Sequence, residues 1–262
     1  MPSARALAVA QTVPVRGDVD ANVAEHVRLA RVAAREGARV LVFPELSLTG
    51  YELDLARDTA FSENDPRLNP LVDLASSCSM TLIVGAPVGV GSRRHIGAFI
   101  VGADRTVRLY TKHHLGAFPP SAKCDGIVPP AEATVFHAGD RNPLVPLDGG
   151  AAAVAVCGDA ARPSHPGEAA ARGATTYLAS VFIIPSQFAS EAANLALHAA
   201  RYAMVVAMAN YGGPSGGLAS AGRSAIWSER GERLVELGAS GAGVAVAIGS
   251  PDGWRCRAVT LN

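Results

Sequence analysis

Residues 21–45 read ANVAEHVRLARVAAREGARVLVFPE, and two periodicities meet in that stretch. From Asn22 to Glu36 the apolar side chains Val23, Val27, Leu29, Ala30, Val32 and Ala33 recur near helical spacing, and Gly37 supplies a stop. Arg39–Phe43 is then a short apolar run rich in β-branched residues and closed by Pro44, which predicts a strand. A helix that feeds a short buried strand is the repeating unit of α/β folds. The strand delivers a carboxylate, Glu45, just past its end.

The same alternation extends both ways along the chain. Leu7–Ala10 reads as an earlier strand, and Asn69–Ser79 as a helix feeding a strand at Thr81–Ala86. Ile96–Val101 and Val107–Thr111 bracket Gly102-Ala-Asp-Arg105 as a hairpin. Val154–Val156 is a buried strand ending at Cys157. Gly167–Arg172 and Gln187–Ala203 read as helices, with a strand at Thr176–Ser180 between them. Short strands follow at Val205–Ala209, Ser224–Trp227, Arg233–Leu237, Val244–Ile248 and Cys256–Leu261. No composition break splits the chain, so residues 1–262 are expected to form one α/β domain. Lys112–Asn142 has no period, and structureless loops beyond ~15 residues in compact domains are usually functional.

Composition excludes several classes. Of the 262 residues, 49% are hydrophobic and 18% charged, below the usual ~25%, which rules out intrinsic disorder. Lys plus Arg and Asp plus Glu both total 23, so the basic excess of a nucleic-acid or anionic-membrane binder is missing. Cys78, Cys124, Cys157 and Cys256 form no CxxC pair, and the histidines form no HExxH, which argues against a structural zinc site. The apolar stretch Ala6–Ala10 is too short for a signal segment, and no run approaches the ~18 residues of a membrane span. A reducing, cytoplasmic setting is the expectation.

In α/β folds catalytic groups collect at strand ends, where the rigid sheet aims the loops. Three reactive residues stand there: Glu45 after Arg39–Phe43, Lys112 after Val107–Thr111, and Cys157 after Val154–Val156. A cysteine nucleophile needs a base for its proton and a cation or N–H donors for the oxyanion it creates. Glu and Lys can fill those parts. Each residue also has a plainer reading: Cys157 as a small core hydrophobe, Glu45 as a cap, Lys112 as a solvated loop lysine.

The flanking residues add a resemblance. Phe43-Pro-Glu45-Leu-Ser-Leu-Thr-Gly-Tyr51, Tyr110-Thr-Lys112-His-His114-Leu115 and Val156-Cys157-Gly-Asp159 together resemble the nitrilase superfamily of carbon–nitrogen hydrolases. Glu132, seven residues before Gly139, resembles that family's second glutamate. Arg201–Asn210 and Gly222–Ile226 resemble two further blocks, so the likeness covers nearly the whole chain. The resemblance implies a four-layer αββα sandwich with two facing sheets and a Glu45–Lys112–Cys157 triad. It implies that Lys112 and the backbone N–H of Gly158 hold the oxyanion, that Glu132 positions the substrate amide or Lys112, and that His114 neighbours the lysine, with a direct role open. It also implies a thioester on Cys157 and a small-molecule amide as substrate. No metal or organic cofactor is needed, because Lys112 does the electrophilic work. The implied assembly is a homodimer or higher homo-oligomer.

The departures narrow this reading. Ala161 stands where the family commonly has Arg, and Gly158 where it often has a larger residue. Cys-Gly-Asp is unlike the Cys-Trp-Glu of nitrile-hydrolysing branches, and Ala160-Ala161 cannot hold a carboxylate as the paired arginines of carbamoyl branches do. An amidase remains. Gly158 is expected to leave open space beside a nucleophile of lowered pKa, or one readily deprotonated by Glu45. Cys124 lies in the long loop with no assigned role. Two other classes stay open: a different cysteine amidohydrolase (isochorismatase-like, or a class I glutaminase), and a non-catalytic binding member of the same fold.

Overall fold

Thirteen strands and four α-helices follow one another through the residues described by the computed structural model, 5–122 and 128–261; Cys124 lies outside them. The order is β1 (Ala6–Gln11), α1 (Val19–Arg35), β2 (Val40–Val42), α2 (Asn69–Ser77), β3 (Thr81–Val90), β4 (Arg93–Val101), β5 (Val107–Thr111), β6 (Val145–Leu147) and β7 (Gly150–Val156). It continues with α3 (Ser164–Ala171), β8 (Thr176–Ser180), α4 (Phe188–Tyr202), β9 (Val205–Ala209), β10 (Ala225–Trp227), β11 (Arg233–Glu236), β12 (Ala242–Ser250) and β13 (Gly253–Leu261).

Two sheets form, in the orders β13-β12-β1-β2-β3-β4-β5 and β11-β10-β9-β8-β7-β6. Period-two alternation sorts each strand between layers. Leu7 and Val9 of β1 face a core shared with Val154 and Val156 of β7 and Leu178 of β8, whereas Ala8 and Ala10 turn to α1 and α2. Ala153 and Ala155 of β7 turn the other way, against Phe188, Leu195 and Ala199 of α4. The result is the expected αββα sandwich.

Several boundaries differ from those read in the sequence. Helix α1 begins a turn earlier, at Val19, because the Asp18 side chain accepts from Ala21 N at 3.0 Å and caps it. Strand β3 runs past Ala86 through Pro87 to Val90 and makes a second hairpin with β4. The Pro87 carbonyl accepts from Phe61 N, so its ring nitrogen faces the same way, where β2 has already ended and no ladder bond is lost. The long loop contains a 3₁₀ turn at Glu132–Thr134, and β6 follows it as a short edge strand. No helix among the described residues is long and apolar enough to cross a membrane.

Candidate active site

The ends of β2, β5 and β7 converge between the two sheets. After β2 the chain turns sharply, with Leu46 at φ 53°, and Glu45 points inward, fully buried. Four ties fix that turn. Phe43 N donates to Ile83 O at 2.9 Å, and Ser180 Oγ reaches across from the other sheet to Phe43 O at 2.8 Å. Leu48 N donates to Gly85 O at 2.9 Å, and the Tyr211 hydroxyl donates to the Glu45 carbonyl. Gly85 is required here, since a Cβ would run into Leu46 N and the Pro44 carbonyl.

Lys112 leaves β5 with its backbone N–H on Ile96 O at 2.9 Å and its carbonyl accepting from Gly139 N at 2.8 Å. Its side chain is wholly buried. Nζ lies 2.7 Å from Glu45 Oε1 and 2.8 Å from Glu132 Oε1. Glu132 is held in turn by the Tyr51 hydroxyl, 2.7 Å from Oε1, and by Gly116 N, 2.8 Å from Oε2. Glu132 therefore touches Lys112 directly. Removing one member of such a buried pair typically costs ~3–5 kcal/mol, because the other charge is left uncompensated.

Cys157 follows β7 with φ 43°, a left-handed conformation that costs a non-glycine residue ~1–3 kcal/mol and needs surrounding structure to hold it. Asp159 provides much of that structure. Its carboxylate accepts from Val156 N at 3.2 Å, His114 N at 2.8 Å, His113 N at 3.1 Å and the Tyr110 hydroxyl at 2.6 Å. One buried side chain thus ties the Cys157 turn to the backbone just after Lys112. The motif around Asp159 does not reveal this part, because Tyr110, His113 and His114 lie far from it in the chain.

Cys157 is half-buried at a cavity of about 180 Å³, lined also by Tyr51, Phe118, Glu132, Gly158 and Phe182. The cavity wall at Ile183 is pinned by Asn210, whose Oδ1 accepts from Ile183 N at 3.0 Å and whose Nδ2 donates to Ile183 O at 3.1 Å.

The His114 ring is 37% exposed with Nδ1 2.9 Å from Asp159 Oδ1, and His114, Glu45 and Lys112 are all outside the residues that line the cavity. One expectation needs correction. Gly158 lines the cavity but leaves no slot beside the nucleophile, because a Cβ there would meet the His114 carbonyl oxygen at 2.5 Å.

The electrostatics oppose a lowered thiol pKa and leave deprotonation by Glu45 as the other expectation. Burial, reinforced by the Glu45 charge, pushes the Cys157 thiol well above its ordinary range, against the pull of Lys112. Burial pushes Glu45 up to about 7, opposed by Lys112 and aided by the like charge of Glu132. Burial disfavours the Lys112 ammonium, but Glu45, Cys157 and Glu132 together more than compensate and raise it. Glu45 Oε2 is buried with no hydrogen bond of ordinary geometry among the described residues, and the Cys157 thiol is close enough to lower the Glu45 carboxyl. That leaves an unused acceptor on a carboxylate poised near neutrality, as a general base requires. No cluster of three His, Cys, Asp or Glu side chains among the described residues is placed to hold a metal ion.

This arrangement has relatives. An amidase from Nesterenkonia AN1, of the nitrilase superfamily, superimposes in a Cys→Ala form with a TM-score of 0.81 at 25% identity, over 96% of this chain and 92% of that one. Another form, with the acetamide moiety of fluoroacetamide covalently added at its active-site cysteine, gives 0.79 at 25% identity, over 92% and 88%. The glutamine-dependent NAD(+) synthetase of Mycobacterium bovis is 30% identical over 104 residues, which is 39% of this chain and 15% of that protein's length. The carbon-nitrogen hydrolase family model matches residues 6–254. The chain belongs to the carbon–nitrogen hydrolases, among the amidase-like proteins of the nitrilase superfamily.

Proposed function

We propose that this carbon–nitrogen hydrolase cleaves small linear amides, with Cys157 as nucleophile, Glu45 as acid and base, and Lys112 as electrophile. The observation that carries this reading is the buried Oε2 of Glu45, without a hydrogen bond of ordinary geometry among the described residues, on a carboxylate whose other oxygen is fixed by Lys112. In the first half-reaction the Cys157 proton passes to Glu45 as sulfur attacks the amide carbonyl. The Lys112 ammonium and the N–H of Gly158, the second residue of the Cys157–Asp159 3₁₀ turn and so without an acceptor in it, take the oxyanion. Glu45 then gives the proton to the departing nitrogen, leaving a thioester on Cys157. In the second half Glu45 takes a proton from water, the hydroxyl attacks the thioester, and the proton returns to sulfur as the acid leaves. Glu132 positions Lys112 and takes no proton in this scheme.

The raised thiol pKa fits a proton transfer coupled to attack, with no standing thiolate. The test is ammonia release from a panel of small amides, with glutamine included because the mycobacterial relatives are named for it, and with the Cys157→Ala protein as blank. Turnover of at least one amide, abolished in the blank, is expected. Ammonia release equal in the blank would remove Cys157 from the reaction.

A further inference from the structure

The cavity beside Cys157 carries a charge that the chemistry of the triad does not use. Gln187, Glu191 and Leu195 line it from α4 and the residue before it, spaced four apart and so on one face. The surrounding wall is apolar, formed by Val181, Phe182 and Ile183 with Ala160 and Ala161. Glu191 is half-buried there, and burial pushes its carboxyl up, with no opposing cation or hydrogen-bond donor among the described residues. Glu191 lies in the first turn of α4, whose N-terminal dipole eases the negative charge. Lys112 is committed to Glu45 and Glu132, and no Lys, Arg or His lines the cavity among the described residues.

A carboxylate held half out of water in the cavity of a nucleophile, with no cationic partner among the described residues, is a recognition element for a cation. We propose that Glu191, assisted by Gln187, selects amides whose acyl chain bears a cationic nitrogen, an ammonium or guanidinium, and turns away acyl chains that end in a carboxylate. The inference rests on the amidase reading of the same cavity. The cation would stand in for water at Glu191, with the carbonyl carbon at Cys157 Sγ and the chain between them along Phe182 and Ile183. The like charge of Glu191 raises the energy of an anionic acyl chain in the same place, so the preference has an attractive and a repulsive part.

The test uses ω-amino alkanamides from glycinamide to 6-aminohexanamide, each paired with the neutral straight-chain amide of equal length and with its ω-carboxy analogue. In the wild type, one chain length should give the amino amide a kcat/KM about tenfold or more above its neutral partner, with the carboxy analogue lowest. Glu191→Gln should shrink the amino-to-neutral ratio by about tenfold, and Glu191→Lys should reverse the order of amino and carboxy amides. Equal rates for amino and neutral amides at every length, or a ratio unmoved in Glu191→Gln, would overturn the assignment.

A second readout does not need turnover or a Glu191 variant. Cys157→Ala protein should rise further in Tm with the amino amides than with the neutral ones. If no amide releases ammonia yet this difference is present, the amidase reading fails and the cation site stands. If amides turn over and the difference is absent, the cation site fails and the amidase reading stands.

Discussion

A β-carbon built on Gly158 would lie 2.5 Å from the carbonyl oxygen of His114, so the turn after the nucleophile is packed against the turn after Lys112. The glycine is a close-approach residue. Gly158→Ala must displace one of the two turns, and overpacking of this kind costs ~1–3 kcal/mol. Chemical denaturation should show that loss, and kcat should fall for small and bulky amides alike. Unchanged stability would mean that the two turns can separate freely.

Asp159 and His114 are neighbours with unequal weight. Asp159→Asn keeps one acceptor oxygen and turns an amide NH₂ toward donors it cannot satisfy, so a loss of ~1–3 kcal/mol is expected. The Cys157 turn loosens with it, and kcat should fall more than KM changes. His114→Ala removes a part-exposed ring and one contact to the same carboxylate, at less than ~1 kcal/mol. Paired unfolding curves and steady-state kinetics measure both. A larger kcat loss in His114→Ala would give the histidine a direct part.

Glu45 must be unprotonated to accept the thiol proton, and burial pushes its carboxyl up to about 7. The kcat/KM for a neutral amide should therefore rise with pH through about 7 and level off above it. The charge of Glu132 raises Glu45, so Glu132→Gln should move that acid limb to lower pH even where it lowers the maximum rate. A limb that stays fixed, or moves upward, would assign the titration to another group.

How much of this could be read from the sequence follows from local physics. β2, β5 and β7 are short apolar strands bounded by turn residues, so the chain positions of Glu45, Lys112 and Cys157 were visible without coordinates. The sandwich followed from the alternation of helix and strand together with the family resemblance. What stayed hidden depended on contacts across the chain. The strand expected to end at Ala86 continues through Pro87, and the early end of β2, which no local pattern shows, explains why it tolerates the proline. Gly158 looked like vacant space because a sequence cannot show that a carbonyl 44 residues earlier fills it. The thiol's raised pKa was equally out of reach, since burial outweighs the nearby ammonium that the sequence does show. Asp159 was passed over because its donors, Tyr110, His113, His114 and Val156, converge only in the fold.

The central claim is that Cys157 carries the acyl group and that Glu45 serves both halves of the reaction. Glu45→Gln retains a nucleophile and Lys112 but has no base, so general acid–base assistance of ~10²–10⁴-fold should be lost. An aryl ester has a leaving group that needs no proton, and it should still acylate this variant slowly. Rapid quench followed by intact-mass and peptide mapping is the direct measurement. The expected result is one acyl adduct, on Cys157, that persists in Glu45→Gln and turns over in the wild type. Wild-type-like turnover of both amide and ester by Glu45→Gln, or an adduct on any residue other than Cys157, would contradict it.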